Sequence, residues 1–191
     1  MKRLFAALKI NPDAEFLSRY HSLQLAMKYQ QIKWVEEKNI HITLKFFGET
    51  EERKIPGISS VLRKRASVSE PIDLRLSQLG IFGSSYAPKV IWVGIEPYAS
   101  LSLLMKSIQE DLKPAGFEPD RQNLVPHLTL GRIKQLNDKV LFDKNIALFN
   151  NLESAAMHIP EIILYESILH REGPEYIALN KYPFGMGQTN K

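Results

Sequence analysis

The chain contains no cysteine among its 191 residues. A disulfide framework is therefore excluded, and because the composition suits a reducing compartment we expect a cytoplasmic protein. The sequence has no run of 18 apolar residues, which argues against a membrane-spanning helix. It also lacks the zinc-protease pattern His-Glu-x-x-His and the serine-hydrolase pattern Gly-x-Ser-x-Gly. These absences argue against a disulfide-stapled domain, a membrane protein and two large classes of hydrolase.

Threonine is scarce as well, and its distribution is uneven. Two of the four threonines stand in one repeated pattern, His41-Ile-Thr-Leu44 and His127-Leu-Thr-Leu130, whose histidines are 86 positions apart. Given the numbers of His, Thr and Leu in the chain, about one shuffled sequence in ten thousand would carry such a pair. Composition alone does not explain the repeat, so we treat it as the primary candidate for function.

Both copies of the pattern are predicted to be β-strands. Residues 40–47 are apolar, β-branched and aromatic up to Gly48, and Pro126 precedes the second copy as it would a strand start. Strict alternation places His41, Thr43, Lys45 and Phe47 on one face and the aliphatic residues on the core face. The same alternation pairs His127 with Thr129. If the two strands are neighbours, two imidazoles and two hydroxyls line one groove.

Such a groove is suited to acid–base chemistry on a phosphate ester. A neutral histidine can take a proton from water while a protonated one gives a proton to the leaving oxygen, which makes His41 and His127 the catalytic candidates. The hydroxyls of Thr43 and Thr129 can donate to phosphate oxygens. No metal or other cofactor is then required. The alternatives are a zinc site, for which cysteine or a third clustered histidine is missing, and two unrelated surface histidines.

The two motifs with their flanks, His41-Ile-Thr-Leu-Lys-Phe-Phe-Gly48 and His127-Leu-Thr-Leu-Gly-Arg132, resemble the signatures of the two-histidine (2H) phosphoesterases. Within these, the sequence resembles the LigT-like RNA 2′,3′-cyclic phosphodiesterases, also described as 2′-5′ RNA ligases. The resemblance covers most of the chain, since the segments 3–8, 89–94 and 164–167 are similar to other strands of that family. Phe47 and Gly131 depart from the signatures, where the family commonly has an aliphatic residue and alanine.

The resemblance implies an α+β fold with two pseudo-symmetric lobes of mainly antiparallel sheet, with outer helices around a central cleft. It implies metal-independent hydrolysis of a 2′,3′-cyclic phosphate at an RNA 3′ end to a 2′-phosphate, with His127 as base and His41 as acid. Reverse 2′-5′ ligation would be a side activity. The alternatives left open are another small ester (a cyclic nucleotide, a 2′-5′ oligonucleotide or an ADP-ribose cyclic phosphate) and a non-catalytic RNA-end-binding module. We expect a monomer with no membrane association and no obligate protein partner.

Hydrophobic periodicity predicts strands and helices in an order in which one unit is followed by a second, similar unit. Asn11 is predicted to be an N-cap, Pro12 the first helical residue and Asp13 part of an acidic first turn. Together they predict a helix over about 12–30. A second helix is predicted from Ser100 to about Pro114. Weaker helical patterns cover 50–66 and 138–150, and further strands are predicted at 3–8, 72–80, 89–95, 158–164 and 175–180. We expect one domain over residues 1–184 and a flexible tail over 185–191.

The formal net charge of +4 favours an anionic partner. The densest basic cluster, Leu62-Arg-Lys-Arg65, reads as either a solvated helix face or an RNA contact. Lys45 could approach the phosphate and Phe47 could stack on a base, since alternation sets both beside His41. Arg132 ends the second signature, and the resemblance makes it a phosphate-binding candidate. Regular alternation would turn Arg132 away from His127 unless the strand bends or bulges after Gly131.

Overall fold

A computed structural model describes residues 1–120 and 125–185, which form nine β-strands and four α-helices. The strands are β1 (Lys2–Lys9), β2 (Gln31–Trp34), β3 (His41–Thr50), β4 (Ile72–Gly83), β5 (Pro88–Glu96), β6 (His127–Gln135), β7 (Met157–Ile159), β8 (Glu161–Leu169) and β9 (Pro174–Pro183). The helices are α1 (Ala14–Ala26), α2 (Ile55–Ser67), α3 (Tyr98–Leu112) and α4 (Lys139–Leu148), with single 3-10 turns at 37–39, 52–54 and 113–115.

The described strands form one antiparallel sheet whose main path has four strands on each side of its centre. The order is β7-β4-β5-β6-β3-β1-β8-β9, and β2 pairs separately with β6. The two motif strands, β6 and β3, are the central pair, and each is followed outward by a lobe of three further strands. Only Pro160 separates β7 from β8 in the chain, although they stand far apart in the sheet order. The sheet must therefore curl to bring its β7 end back towards β8.

Helices cover one face of this sheet. Leu4, Ala6 and Leu8 of β1 face the helices and belong to the main hydrophobic core. On the β6 side the carbonyl oxygens of Val35 (2.8 Å) and Leu130 (2.9 Å) share the one hydrogen of the Tyr20 hydroxyl in α1, which fixes α1 against that lobe. The alternate residues of β1 face the other way. We call this second side of the sheet the open face.

Most of the predicted elements are present, including both motif strands and all four helices. The start of α1 was wrong by two residues, because Asp13 is the N-cap and its carboxylate accepts from the backbone N–H of Phe16 at 2.8 Å. Helix α3 begins after Pro97 rather than at Ser100. The predicted strand 158–164 is two strands broken at Pro160, and β2 was not predicted. Of the predicted tail, residues 186–191 lie outside the described residues, whereas the N–H of Gly185 donates to the Ser69 carbonyl at 2.9 Å.

Candidate active site

The two repeated motifs lie next to each other at the centre of the sheet. Strands β3 and β6 run antiparallel and pair at Ile42 and Leu128, the second residue of each motif. Both of these side chains are fully buried on the helix-covered face. The antiparallel direction sets Thr43 towards His127 and His41 towards Thr129 on the open face. The sheet thus assembles the two His-Thr pairs about a local two-fold axis.

Both imidazoles are oriented by the same backbone contact. Nδ1 of His41 lies 2.6 Å from the carbonyl oxygen of Asn39, and Nδ1 of His127 lies 2.7 Å from that of Val125. A carbonyl oxygen can only accept, so Nδ1 carries the hydrogen in each ring. Nε2 of each ring is then the atom that exchanges a proton with a ligand. The backbone therefore sets the tautomer that acid–base chemistry needs at both positions.

Aromatic rings pack around each imidazole in a similar arrangement. The ring of His41 is 5.0 Å from that of Phe5, which stacks on Tyr165 of the neighbouring strand at 5.2 Å. Around His127, Trp92 stacks in the same way on Phe82 at 4.9 Å, and the Phe82 ring is 4.7 Å from the imidazole. Each imidazole thus packs against a ring that belongs to a stacked pair from its own lobe. These contacts restrict rotation of both histidine side chains.

A third aromatic ring also packs against His41. Tyr176 of β9 meets the imidazole edge-on at 5.3 Å and also contacts Phe5 at 4.8 Å.

In the other lobe the indole of Trp92 lies flat on the backbone of Gly80, where an added Cβ would collide with the ring. A side chain at position 80 would displace this indole, and with it one wall of the His127 site.

The surroundings favour the neutral form of both histidines. Burial is the main cause that lowers the pKa of His41 to about 4, and the nearby charges of Lys9 and Arg132 act in the same direction. Burial likewise lowers the pKa of His127, and Arg132 contributes again. Both rings are therefore neutral at pH 7 in the free protein. A bound anion would oppose these effects and favour a protonated ring.

Arg132 lies on the open face, with His127 and Thr129, because β6 contains a bulge. Thr129 pairs with Trp92 but Gly131 pairs with Ile91, so Leu130 is the extra residue. The bulge reverses the alternation beyond it and turns Arg132 to the same face as the motif. Its positive charge lowers the pKa of both His41 and His127. A bulge does bring Arg132 to this face, but it lies at Leu130, before Gly131 and not after it as predicted.

The predicted orientation of Lys45 and Phe47 is wrong, and bulges in β3 are the reason. Two shifts in the β1–β3 register set Lys45 opposite Ala6 and Phe46 opposite Phe5. Lys45 is 4% exposed on the helix-covered side, where its ammonium contacts the Asp120 carboxylate at 2.6 Å. Phe47 packs on the core and on Phe117. Lys45 and Phe47 therefore do not face the groove.

Phe46 instead of Phe47 turns towards the open face, where the guanidinium of Arg3 lies 4.8 Å from its ring.

The basic cluster at 62–65 lies on α2, and both Lys64 and Arg65 pair with Asp111. Its interpretation as a solvated helix face is therefore favoured over an RNA contact. No pattern in the sequence pointed to the aromatic walls, because their residues are scattered over several strands and only the sheet order brings them together.

Comparison with known proteins agrees with this arrangement. The family model of the 2'-5' RNA ligase superfamily matches residues 13–170. The RNA 2',3'-cyclic phosphodiesterase of Methanothermobacter thermautotrophicus is 35% identical over 152 residues, which are 80% of this chain and 82% of that protein. The protein of the same name from Methanocaldococcus jannaschii is 33% identical over 180 residues, 94% of this chain and 99% of its own.

Solved structures show the same fold. The protein TT0787 of Thermus thermophilus matches with a TM-score of 0.77 at 21% identity, over 96% of this chain and 98% of that chain. Escherichia coli LigT in complex with 3'-AMP matches with a TM-score of 0.67 at 20% identity, over 96% of this chain and 97% of that chain.

The curled sheet and its two adjacent His-x-Thr-Leu strands define a two-histidine phosphoesterase. The chain belongs to the 2'-5' RNA ligase superfamily, since the family model covers most of its length and relatives above 30% identity match over most of both chains. It is an enzyme, a cyclic phosphodiesterase. The family, the bilobal fold and the enzyme class that the sequence predicted are confirmed. None of the described helices is long and apolar enough to cross a membrane.

Proposed function

We propose that the enzyme hydrolyses the 2′,3′-cyclic phosphate at an RNA 3′ end to a 2′-phosphate without a metal ion. The observation that carries this proposal is the pair of histidines on adjacent strands, each with Nδ1 on a backbone carbonyl, which leaves Nε2 as the atom that transfers a proton. Two relatives above 30% identity bear the name of this activity. Among residues 1–120 and 125–185, no three His, Asp or Glu side chains cluster as a metal site would require.

The proposed step moves two protons. His127, neutral in the free enzyme, takes a proton from water as the water oxygen bonds to phosphorus. The bond from phosphorus to the ribose 3′ oxygen breaks, and protonated His41 gives that oxygen its proton. Thr43, Thr129 and Arg132 hold the phosphate oxygens as charge develops on them. The anionic substrate opposes the burial of His41 and raises its pKa, which lets this ring carry a proton in the complex.

Ligation to an RNA 5′ end would use the same groups with another nucleophile. A ribose 5′-hydroxyl in place of water would attack the cyclic phosphate and form a 2′-5′ linkage, again with release of the 3′ oxygen. We propose it as a minor activity, because water greatly outnumbers RNA 5′ ends. We also propose a monomer that acts without an obligate protein partner. We further propose that residues 1–184 form one domain and that the enzyme is cytoplasmic.

The proposed function predicts turnover of adenosine 2′,3′-cyclic phosphate in the presence of EDTA. We expect a rate unchanged by the chelator and adenosine 2′-phosphate as the product, because the two imidazoles supply both proton transfers. Chromatography that separates the 2′- and 3′-phosphates measures both outcomes. Loss of activity that added Mg²⁺ or Zn²⁺ restores, or a 3′-phosphate product, would contradict the proposed mechanism.

A second prediction concerns the dependence of kcat/KM on pH. One ring must be protonated and the other neutral in the productive form. Because both pKa values lie below 6.5, the fraction of free enzyme with a single proton on the pair falls as pH rises above that value. We therefore expect log kcat/KM to be greatest on the acidic side of pH 6.5 and to decline above it with a slope of about −1.

Initial rates measured between about pH 4.5 and 8.5 at constant ionic strength test this expectation. Circular dichroism at each pH serves as the control, since unfolding at low pH would lower the rate for another reason. A profile that still rises through about pH 8 would contradict the pair of lowered histidine pKa values.

A further inference from the structure

A cavity of about 590 Å³ lies beside the His41 half of the site. Its walls include Lys9, Asn11, His158, Tyr165, Ala178 and Lys181. Lys9 is the direct cross-strand neighbour of His41 in the β1–β3 register, so the cavity begins next to the catalytic imidazole. Its volume falls in the range of small-ligand pockets and is sufficient for one nucleotide.

The cavity lies on the open face of the same sheet. Lys9 follows Phe5 and Ala7 by strict alternation, and neither of these belongs to the core beneath the helices. Ala7 pairs with Ile163 and Phe5 with Tyr165, which carries this face into β8. The stacked rings of Phe5 and Tyr165 therefore extend from the aromatic residues around His41 to the cavity wall. A ligand that extends from the catalytic groups can enter the cavity without crossing a strand.

Lys9 gives the cavity its positive charge. Among the described residues it has no carboxylate within ion-pair distance, and its ammonium donates to the backbone carbonyl of Lys38. Burial lowers the pKa of Lys9 below that of a free lysine, and no acidic group in the described part of the chain offsets this effect. Lys181 is the other cation of the wall, but it contacts Glu161 at 2.9 Å. Lys9 is thus the cation whose charge an incoming anion would balance.

An RNA that ends in a 2′,3′-cyclic phosphate continues in one direction only, towards its 5′ end. The next anion is the 5′-phosphate of the terminal nucleoside, followed by the preceding ribose and base. We propose that Lys9 and the adjoining cavity bind this upstream phosphate and nucleotide, so that the enzyme selects oligonucleotide ends over mononucleotides. This inference rests on the proposed function, because it assumes that the cyclic phosphate occupies the two-histidine site.

Tyr165 suits the sugar or base of that upstream nucleotide. Burial raises its pKa, so the hydroxyl stays protonated and can donate at neutral pH. Its ring is held by Phe5 and lies 6.2 Å from that of Tyr176, which leaves a rigid aromatic wall. Aromatic walls bind unpaired bases with little dependence on sequence. We therefore expect the cavity to select substrate length rather than base identity.

The test compares three substrates: adenosine 2′,3′-cyclic phosphate, its 5′-phosphorylated form, and the dinucleotide ApA ending in a 2′,3′-cyclic phosphate. For the wild-type enzyme we expect kcat/KM to rise in that order, by about tenfold or more from first to last. Lys9→Met should remove most of this ratio and Lys9→Arg should keep it. The ratio is the informative quantity, because any effect of Lys9 on the pKa of His41 applies to all three substrates.

Lys106→Met is the matched control, since Lys106 is an exposed lysine of α3 outside the cavity, and we expect it to leave the ratio unchanged. The wild-type ratio should also shrink as salt rises, more than it does in Lys9→Met. Equal wild-type rates for all three substrates would overturn the subsite, as would an equal loss on all three in Lys9→Met. If the wild-type enzyme hydrolyses none of the three, the proposed function itself fails.

Discussion

Replacement of either His41 or His127 by alanine lowers kcat on adenosine 2′,3′-cyclic phosphate by an expected factor of about 10² or more. Each variant loses one of the two proton transfers, and no other imidazole lies on the open face between β3 and β6 within the described residues. Because each ring works only with its partner, the double variant should be little slower than either single one. Steady-state rates of the two single variants and the double variant test this expectation.

His21→Ala is the matched control. His21 lies on α1, where its ring contacts Glu37 at 2.7 Å, and it contributes nothing to the open face of the sheet. Its variant should keep the wild-type kcat. Thermal unfolding of all variants separates loss of chemistry from loss of fold. Wild-type rates in His41→Ala or His127→Ala would refute the two-histidine mechanism, whereas an equal loss in His21→Ala would indicate a general structural effect.

The double substitution Thr43→Val and Thr129→Val should lower kcat by about 10²-fold. Valine keeps the shape of threonine and its preference for a strand, so the change removes two hydroxyl donors and little else. Their donation to phosphate oxygens matters most in the transition state, where negative charge on those oxygens is greatest. We therefore expect the loss to appear in kcat rather than in KM alone.

Thr50→Val provides the comparison for this pair. Thr50 is a buried threonine at the far end of β3, and its hydroxyl donates to the Gly48 carbonyl at 3.1 Å. Its replacement should reduce stability, measured by urea unfolding, and leave kcat unchanged. If the motif variant instead raised KM with no change in kcat, the two hydroxyls would bind the ground state and transition state equally.

The repeated motif made the site predictable because it is local in sequence. Four side chains at fixed spacing on two strands required only the period of a strand to place each His beside its Thr. The order of elements then indicated one unit followed by a second. The sheet does have two lobes, but they are not consecutive in the chain, because β8 and β9 lie in the lobe of β1 and β3. Hydrophobic periodicity also located the helices, although their first residues were wrong where capping depended on local geometry at Asp13 and Pro97.

Bulges break the regular alternation of side chains only a few residues further along each strand. Beyond Leu44 the face of β3 reverses, so Lys45 is buried against Asp120 and Phe46 rather than Phe47 turns outward. The bulge at Leu130 has the opposite effect, because it brings Arg132 to the site. Bulges arise from how a strand fits its neighbours in a twisted sheet, and a single strand's alternation carries no record of that fit.

By itself the sequence determined which residues are the candidates for the chemistry and that each His would share a face with its Thr, since both follow from spacing within one strand. Only the tertiary structure decided that the two motifs are adjacent, that Arg132 joins them while Lys45 leaves, and that aromatic rings and Lys9 surround His41. Those outcomes depend on pairings between strands far apart in the chain. The free energy of such pairings comes from packing across the whole sheet and not from any one segment.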